Sequence, residues 1–167
     1  VIQEIKIKII NMDVKVKKIS EKAVIPTKAH STDAGYDLIC AEITQEVGED
    51  GVPVLIYHTG LTFEIPDGNV GLLFNRSSVA KKSITLTNAV GVIDSGYRGE
   101  VIAKFKLNTL SIPAIFKPGE AFAQLVIMPI PEVNLIEVAS ELSNSERGEG
   151  GFGSTDKVEE MVTEEIK

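Results

Sequence analysis

Between Asn88 and Glu100 the chain reads Asn-Ala-Val-Gly-Val-Ile-Asp-Ser-Gly-Tyr-Arg-Gly-Glu, which sets a carboxylate, Asp94, three residues from an aromatic ring, Tyr97. A carboxylate can hold a water molecule and take its proton, and a ring can stack on a flat ligand or occupy the space a substituent would need. Glycines at 91, 96 and 99 let main-chain amides and carbonyls approach such a ligand closely. Taken alone, the plainer expectation is that Asp94 caps a turn and Tyr97 packs as a cross-strand aromatic.

A second group suits a polyanion. Arg76-Ser77-Ser78 stands where an apolar strand gives way to a short helix over 77–82, so exposed amides and hydroxyls there can cradle phosphate oxygens. Arg76 would equally suit a structural salt bridge. Further on, Arg147-Gly-Glu-Gly-Gly-Phe-Gly-Ser-Thr155 contains G-x-G-x-x-G, yet no apolar strand precedes it and the 14 residues after Gly153 cannot complete a βαβ unit. A dinucleotide site is thereby excluded. The glycines instead supply amides and freedom of motion, Arg147 a cation, Ser154 and Thr155 donors, and Phe152 a ring, which together make a lid. His30 and His58 lack metal-site spacing and read as surface or turn residues.

The elements that must position these groups are strands. Short apolar runs at Val14–Val16, Val54–Tyr57, Leu61–Ile65, Val70–Phe74, Ile84–Leu86, Val101–Phe105, Ile112–Phe116 and Ala123–Ile130 are bounded by turn residues, with prolines near their ends. This pattern predicts an all-β domain, a sandwich or jelly-roll-like barrel, with 77–82 as the short helix in its body. Ser95-Gly96 is a two-residue turn signal, so Val90, Val92 and Ile93 are expected to pair with Val101, Ala103 and Phe105 in a tight hairpin carrying Asp94 at its tip. Residues 1–12 read as an N-terminal extension with alternating Ile5, Ile7 and Ile9, 13–140 as the β domain, 141–156 as a Gly-rich arm and 157–167 as an acidic tail. In the tail, Val158, Met161, Val162 and Ile166 could share one helical face and bind a protein partner; a solvated tail is the plainer expectation.

Composition narrows the function classes. The 167 residues fit one domain, no run is long and apolar enough to span a membrane, and a net charge of −7 disfavours a surface that grips nucleic-acid polymers. A nucleotide monomer, needing only a local cluster of donors, stays within reach. The single cysteine, Cys40, cannot form an internal disulfide and sits among apolar neighbours, which implies a core role. With no signal-peptide pattern, the expected compartment is a reducing cytoplasm, that of a host cell if the source is viral.

Five segments occur in order: Asp33-Ala-Gly-Tyr-Asp37-Leu, Asn75-Arg-Ser-Ser78, the stretch 88–100, Gly119-Glu-Ala-Phe-Ala-Gln124-Leu, and Arg147 to Thr155. Together they resemble the five ordered motifs of the homotrimeric dUTPases, which cleave dUTP to dUMP and pyrophosphate, and the resemblance spans about residues 13–155. It implies a homotrimer with sites shared between subunits, and a water that attacks the α-phosphorus. Asp94 would hold and deprotonate that water near the sugar 3′-hydroxyl, Gln124 would join the water and phosphate network, and Arg147 would neutralise the γ-phosphate. Asn88 and the backbone of Gly91, Val92 and Ile93 would read the uracil edge, and Tyr97 would occupy the space a 2′-hydroxyl needs. Arg76, Ser77 and Ser78 would bind phosphates, Phe152 would lie over uracil, and Gly153, Ser154 and Thr155 would close on the triphosphate. Asp37 would meet Mg²⁺ through water.

This chain departs from the family pattern at Asn75, where proline is usual, and at Asp156, where glycine is usual and a negative charge now stands beside the triphosphate. Two rivals share the resemblance. A dCTP deaminase would carry its glutamate ten residues after the aspartate, where Lys104 stands here, and would lack the arm. A regulatory nucleotide- or protein-binding relative would not need Asp37, Ser77, Asp94, Gln124 and Arg147 together.

Overall fold

The computed structural model describes residues 12–109 and 111–151. Ile5, Ile7 and Ile9, the lid residues Phe152, Gly153, Ser154 and Thr155, Asp156 and the tail 157–167 lie outside that range. Among the described residues ten strands form: β1 (Lys15–Lys18), β2 (Tyr36–Ile39), β3 (Glu42–Val47), β4 (Pro53–His58), β5 (Leu61–Glu64), β6 (Asn69–Asn75), β7 (Ile84–Leu86), β8 (Gly91–Asp94), β9 (Ile102–Leu107) and β10 (Ala121–Pro129). The expected short helix is a 3₁₀ turn, Ser77–Lys81.

The strands make two four-stranded sheets, ordered β2-β10-β6-β8 and β3-β4-β9-β7, and a small β1-β5 pair. Every ladder is antiparallel. Inward residues of both large sheets share one core, because alternation along β4 and β9 buries Leu55, Tyr57, Ala103 and Phe105, while Leu38, Leu73, Phe122 and Leu125 face them from the other sheet. Tyr57 is the cross-sheet link: its ring stacks on Phe122 at 5.1 Å and meets Phe105 edge-on at 5.2 Å. Its buried hydroxyl donates to the Phe116 carbonyl at 3.2 Å, so the phenol brings no unpaired polar atom into the core. The jelly-roll-like, all-β class follows from this burial. Cys40 is buried, and desolvation pushes its thiol up to about 11, in keeping with a core role.

Three expectations fail. β8 and β9 do not form a hairpin: β8 pairs with β6, from Val70 opposite Asp94 to Leu73 opposite Gly91, while β9 pairs with β4 and β7 in the other sheet. Alternation marked both segments as strands, but their partners are chosen by distant core contacts, and residues 95–101 cross from one sheet to the other. The run Ile112–Phe116 is not a strand. Pro113 offers no N–H, and the segment is held instead by the Ser83 amide on the Ala114 carbonyl and by Lys82 Nζ on the Ile115 carbonyl at 3.0 Å. Finally, His58 is a half-buried residue at the end of β4, packed into a hydrogen-bonded network rather than a surface or turn position.

By contact, the chain divides into Val1–Glu132, which holds all ten strands, and Val133–Lys167. Residues 133–151 of the second unit contain no helix or strand. There Leu135, Ile136 and Leu142 are at least four-fifths exposed.

Candidate active site

Asp94 is the last residue of β8. Its strand can lie close on β6 because residue 71 is glycine; a Cβ there would come within 2.8 Å of Ile65 Cδ1 and 3.3 Å of Ile93 Cβ. The chain then turns, with the Tyr97 amide donating to the Asp94 carbonyl at 3.0 Å. Asn88, Gly91, Val92, Ile93, Asp94 and Tyr97 come together around one cleft of about 170 Å³, with Leu73, Glu100, Val101 and Ile102 completing its wall. The Ile93 side chain belongs to the core, so only its main chain is left for a ligand, whereas Val92 is exposed. Ala89, at the turn before β8, has φ of +57°, a left-handed conformation that costs a non-glycine residue about 1 kcal/mol.

The second group lies where β2, β10 and β6 adjoin. Gln124 stands opposite Asp37 on β2 and Phe74 on β6. Its Nε2 donates to the Asn75 carbonyl at 2.9 Å, and Gly35 leaves room for its Oε1, which a Cβ there would approach to 2.8 Å. Arg76 forks onto Asp37, Nε to Oδ1 at 2.9 Å and Nη2 to Oδ2 at 3.2 Å, while Nη1 donates to the Ala121 carbonyl at 3.2 Å. The structural salt bridge is therefore present, and it fixes the strand end from which the 3₁₀ turn departs.

Ser77 on that turn is exposed, whereas Ser78 Oγ and Asn75 Oδ1 are buried without a protein partner. Buried hydroxyl and amide oxygens without a protein partner call for a water or another polar group. Arg76, Ser78, Lys81 and Lys82 line a second cleft of about 420 Å³ with Phe116, Glu120 and Ala121. Lys82 is already engaged, lying 4.6 Å from the Phe116 ring centroid and bonded to the Ile115 carbonyl. The two clefts share no lining residue.

Arg147, in the second unit, is exposed and bonds locally, Nε to the Gly150 carbonyl at 2.9 Å. Its turn uses Gly148 at φ of +54°. Sequence reasoning missed Glu100 and His58. Glu100 closes the chemically loaded stretch and lines its cleft, and position alone could have flagged it; nothing in the sequence links it to His58, 42 residues earlier.

Comparison with known proteins bears on this arrangement. A family model described as dUTPase matches residues 21–156. The deoxyuridine 5'-triphosphate nucleotidohydrolase of Clostridium kluyveri is 41% identical over 145 residues, covering 86% of this chain and 98% of that protein. A mutant dUTPase of Staphylococcus bacteriophage 80alpha, solved with dUpNHpp, superposes with a TM-score of 0.71 at 32% identity, covering 86% of this chain and 98% of that one. A mutant dUTPase from phage phi11 of S. aureus, described for the coordination of a structural Mg(II) ion, gives 0.64 at 28% identity over 77% of this chain and 97% of its own.

Proposed function

The chain belongs to the dUTPase family, and we infer from that membership, together with the clefts above, how its residues divide the work of a dUTP diphosphatase. The enzyme hydrolyses dUTP to dUMP and pyrophosphate, supplying dUMP and keeping uracil out of DNA. The observation that carries the assignment of roles is the convergence of Asn88, Asp94 and Tyr97 on one cleft.

In this reading Asp94 takes a proton from the water that attacks the α-phosphorus; the bond to the bridging oxygen breaks and pyrophosphate leaves. Asn88 and the main chain of Gly91, Val92 and Ile93 pair with the uracil edge. Cytosine would leave those groups unpaired, and thymine's methyl would meet the backbone wall. Tyr97 occupies the space of a 2′-hydroxyl. Ser77, Ser78 and Gln124 serve the phosphates and water, and Arg147 with residues 152–155 closes over the triphosphate. Arg76 acts through its fork on Asp37, holding that carboxylate and the 3₁₀ turn in place.

Among the described residues no three His, Cys, Asp or Glu side chains group as a metal site. An all-protein cage is thus not what Mg²⁺ would meet. Each Asp37 oxygen accepts one N–H from Arg76 and keeps a further lone pair, and the side chain is 29% exposed, which fits a hydrated ion held mainly by substrate phosphates. The chemistry a bound ion supplies is neutralisation of phosphate charge.

A homotrimer with shared sites explains two features together. Within one chain Asp94 and the Arg76 cradle face different clefts, and apolar side chains such as Val92, Leu135 and Ile136 stand exposed. Among the described residues no helix is long and apolar enough to cross a membrane.

Steady-state assays with Mg²⁺ on dUTP, dCTP, dTTP and UTP test the reading. The expected result is pyrophosphate release from dUTP with kcat/KM at least ~10²-fold above each competitor, since a hydrogen-bonding pocket rejects a mismatched edge strongly. Comparable turnover of dCTP would sink the uracil-pocket assignment.

A further inference from the structure

Tyr97 lies folded back on its own loop, its hydroxyl donating to the main-chain carbonyl of Glu100 at 3.1 Å. That posture depends on Gly99: a Cβ there would come within 2.5 Å of Tyr97 Cζ and 3.0 Å of Cε2. The acceptor is itself held. Glu100 Oε1 accepts the Gly60 amide at 2.7 Å, Oε2 lies 3.0 Å from His58 Nδ1, and His58 Nε2 lies 2.9 Å from Thr44 Oγ1. Facing a carboxylate, Nδ1 carries the proton, so in the neutral ring Nε2 accepts from the Thr44 hydroxyl. Next along the loop, the Val101 amide donates to the Leu61 carbonyl at 2.9 Å, and the fully buried Thr59 hydroxyl donates to the Val101 carbonyl at 2.6 Å. The corner His58–Leu61 thus grips residues 100 and 101, and the grip on 100 is made by a side chain.

We propose that Glu100, clamped by His58 and the Gly60 amide, is a positioning residue that holds Tyr97 where it discriminates deoxyribose from ribose. The inference rests on the sugar-contact reading of Tyr97. The carboxylate does not touch substrate in this scheme. It fixes the carbonyl that anchors the ring, and Thr44 fixes the imidazole that anchors the carboxylate. Without the clamp the loop keeps its sequence but the ring loses its stop.

The readout is the ratio of kcat/KM for dUTP to that for UTP, which a simple loss of folded enzyme leaves untouched because it lowers both alike. Glu100→Ala is expected to lower the ratio ~10-fold or more, in the range a misplaced pocket wall costs, and Glu100→Gln to preserve most of it, because its Oε1 still accepts the Gly60 amide and its Nε2 donates to His58 Nδ1 once the ring takes the other tautomer, with the ring Nε2–H donating to Thr44 Oγ1. Gly99→Ala should lower it with the Glu100 side-chain bonds to Gly60 and His58 in place. In a Tyr97→Ala background, Glu100→Ala should lower it no further. If Glu100→Ala yields no folded protein, His58→Ala carries the same comparison. An unchanged ratio in Tyr97→Ala would overturn the sugar-contact reading. A ratio that falls in Tyr97→Ala but stays at the parent value in Glu100→Ala, or falls equally in both backgrounds, would overturn the positioning role alone.

Discussion

Replacing Asp94 by asparagine is expected to lower kcat for dUTP by ~10³-fold, the middle of the range for removing a general base, while the Kd for dUpNHpp changes less than about threefold. The geometry favours so clean a separation. Asp94 is exposed at the end of β8, and β8 is held on β6 by main-chain pairing and by the buried Ile93. The substitution therefore removes no core contact and strands no buried partner. An amide of the same shape can still hold the water, but it cannot take the proton. Single-turnover kinetics alongside calorimetric binding of the analogue separate the two quantities, and a kcat within tenfold of the parent would remove Asp94 from the base role.

The second large effect belongs to the arm. A chain ending at Glu146 is expected to retain its assembly, measured by sedimentation, and to hydrolyse dUTP ~10³-fold more slowly, because a cation placed on transferring phosphates is worth that much or more. Arg147 makes only a local bond to the Gly150 carbonyl and is exposed, so its loss leaves the strands of the first unit intact. Mixing then tests where the arm works. Refolded with full-length Asp94→Asn, the truncated chain should regain activity above either parent if an arm serves a neighbour's Asp94. No recovery in trimers shown by mass to be mixed would refute the shared site.

Legibility in the sequence followed the range of the forces involved. β4, β5 and β6 stood out as short apolar runs bounded by turn residues, and β9 because Val101, Ala103 and Phe105 alternate with polar residues. β3 escaped notice because Glu42, Thr44, Gln45 and Glu46 are exposed along it and no apolar face marks it. β2 escaped because Asp37 interrupts its short apolar run. The hairpin expectation failed for a different reason: alternation reports which residues face inward, and says nothing of which strand lies alongside. The candidate site shows the same division. Asp94 and Tyr97 are neighbours in the chain and were visible as a pair. The Asp37 fork on Arg76 spans 39 residues and could be read only as one of two options, and the Glu100 contact with His58, over 42 residues, left no local trace.

The separation of β8 from β9 has a mechanical consequence. Residues 95–101 form a seam between the two sheets, and a nucleotide gripped by Asn88, Asp94 and Tyr97 would lie across it like a clasp. Linkage sets the size of that clasping: at 100 times its Kd a ligand that binds only the folded state adds about 2.7 kcal/mol, against about 0.4 kcal/mol at half-saturation, where its concentration equals Kd. The amides of Tyr97, bonded to the Asp94 carbonyl at the end of β8, and Val101, bonded to the Leu61 carbonyl at the start of β5, lie at the two ends of the seam and are where hydrogen exchange should slow first as dUpNHpp is added. A seam of this kind would be firmest with nucleotide bound, and would be expected to open first at residues 95–101 when it is absent.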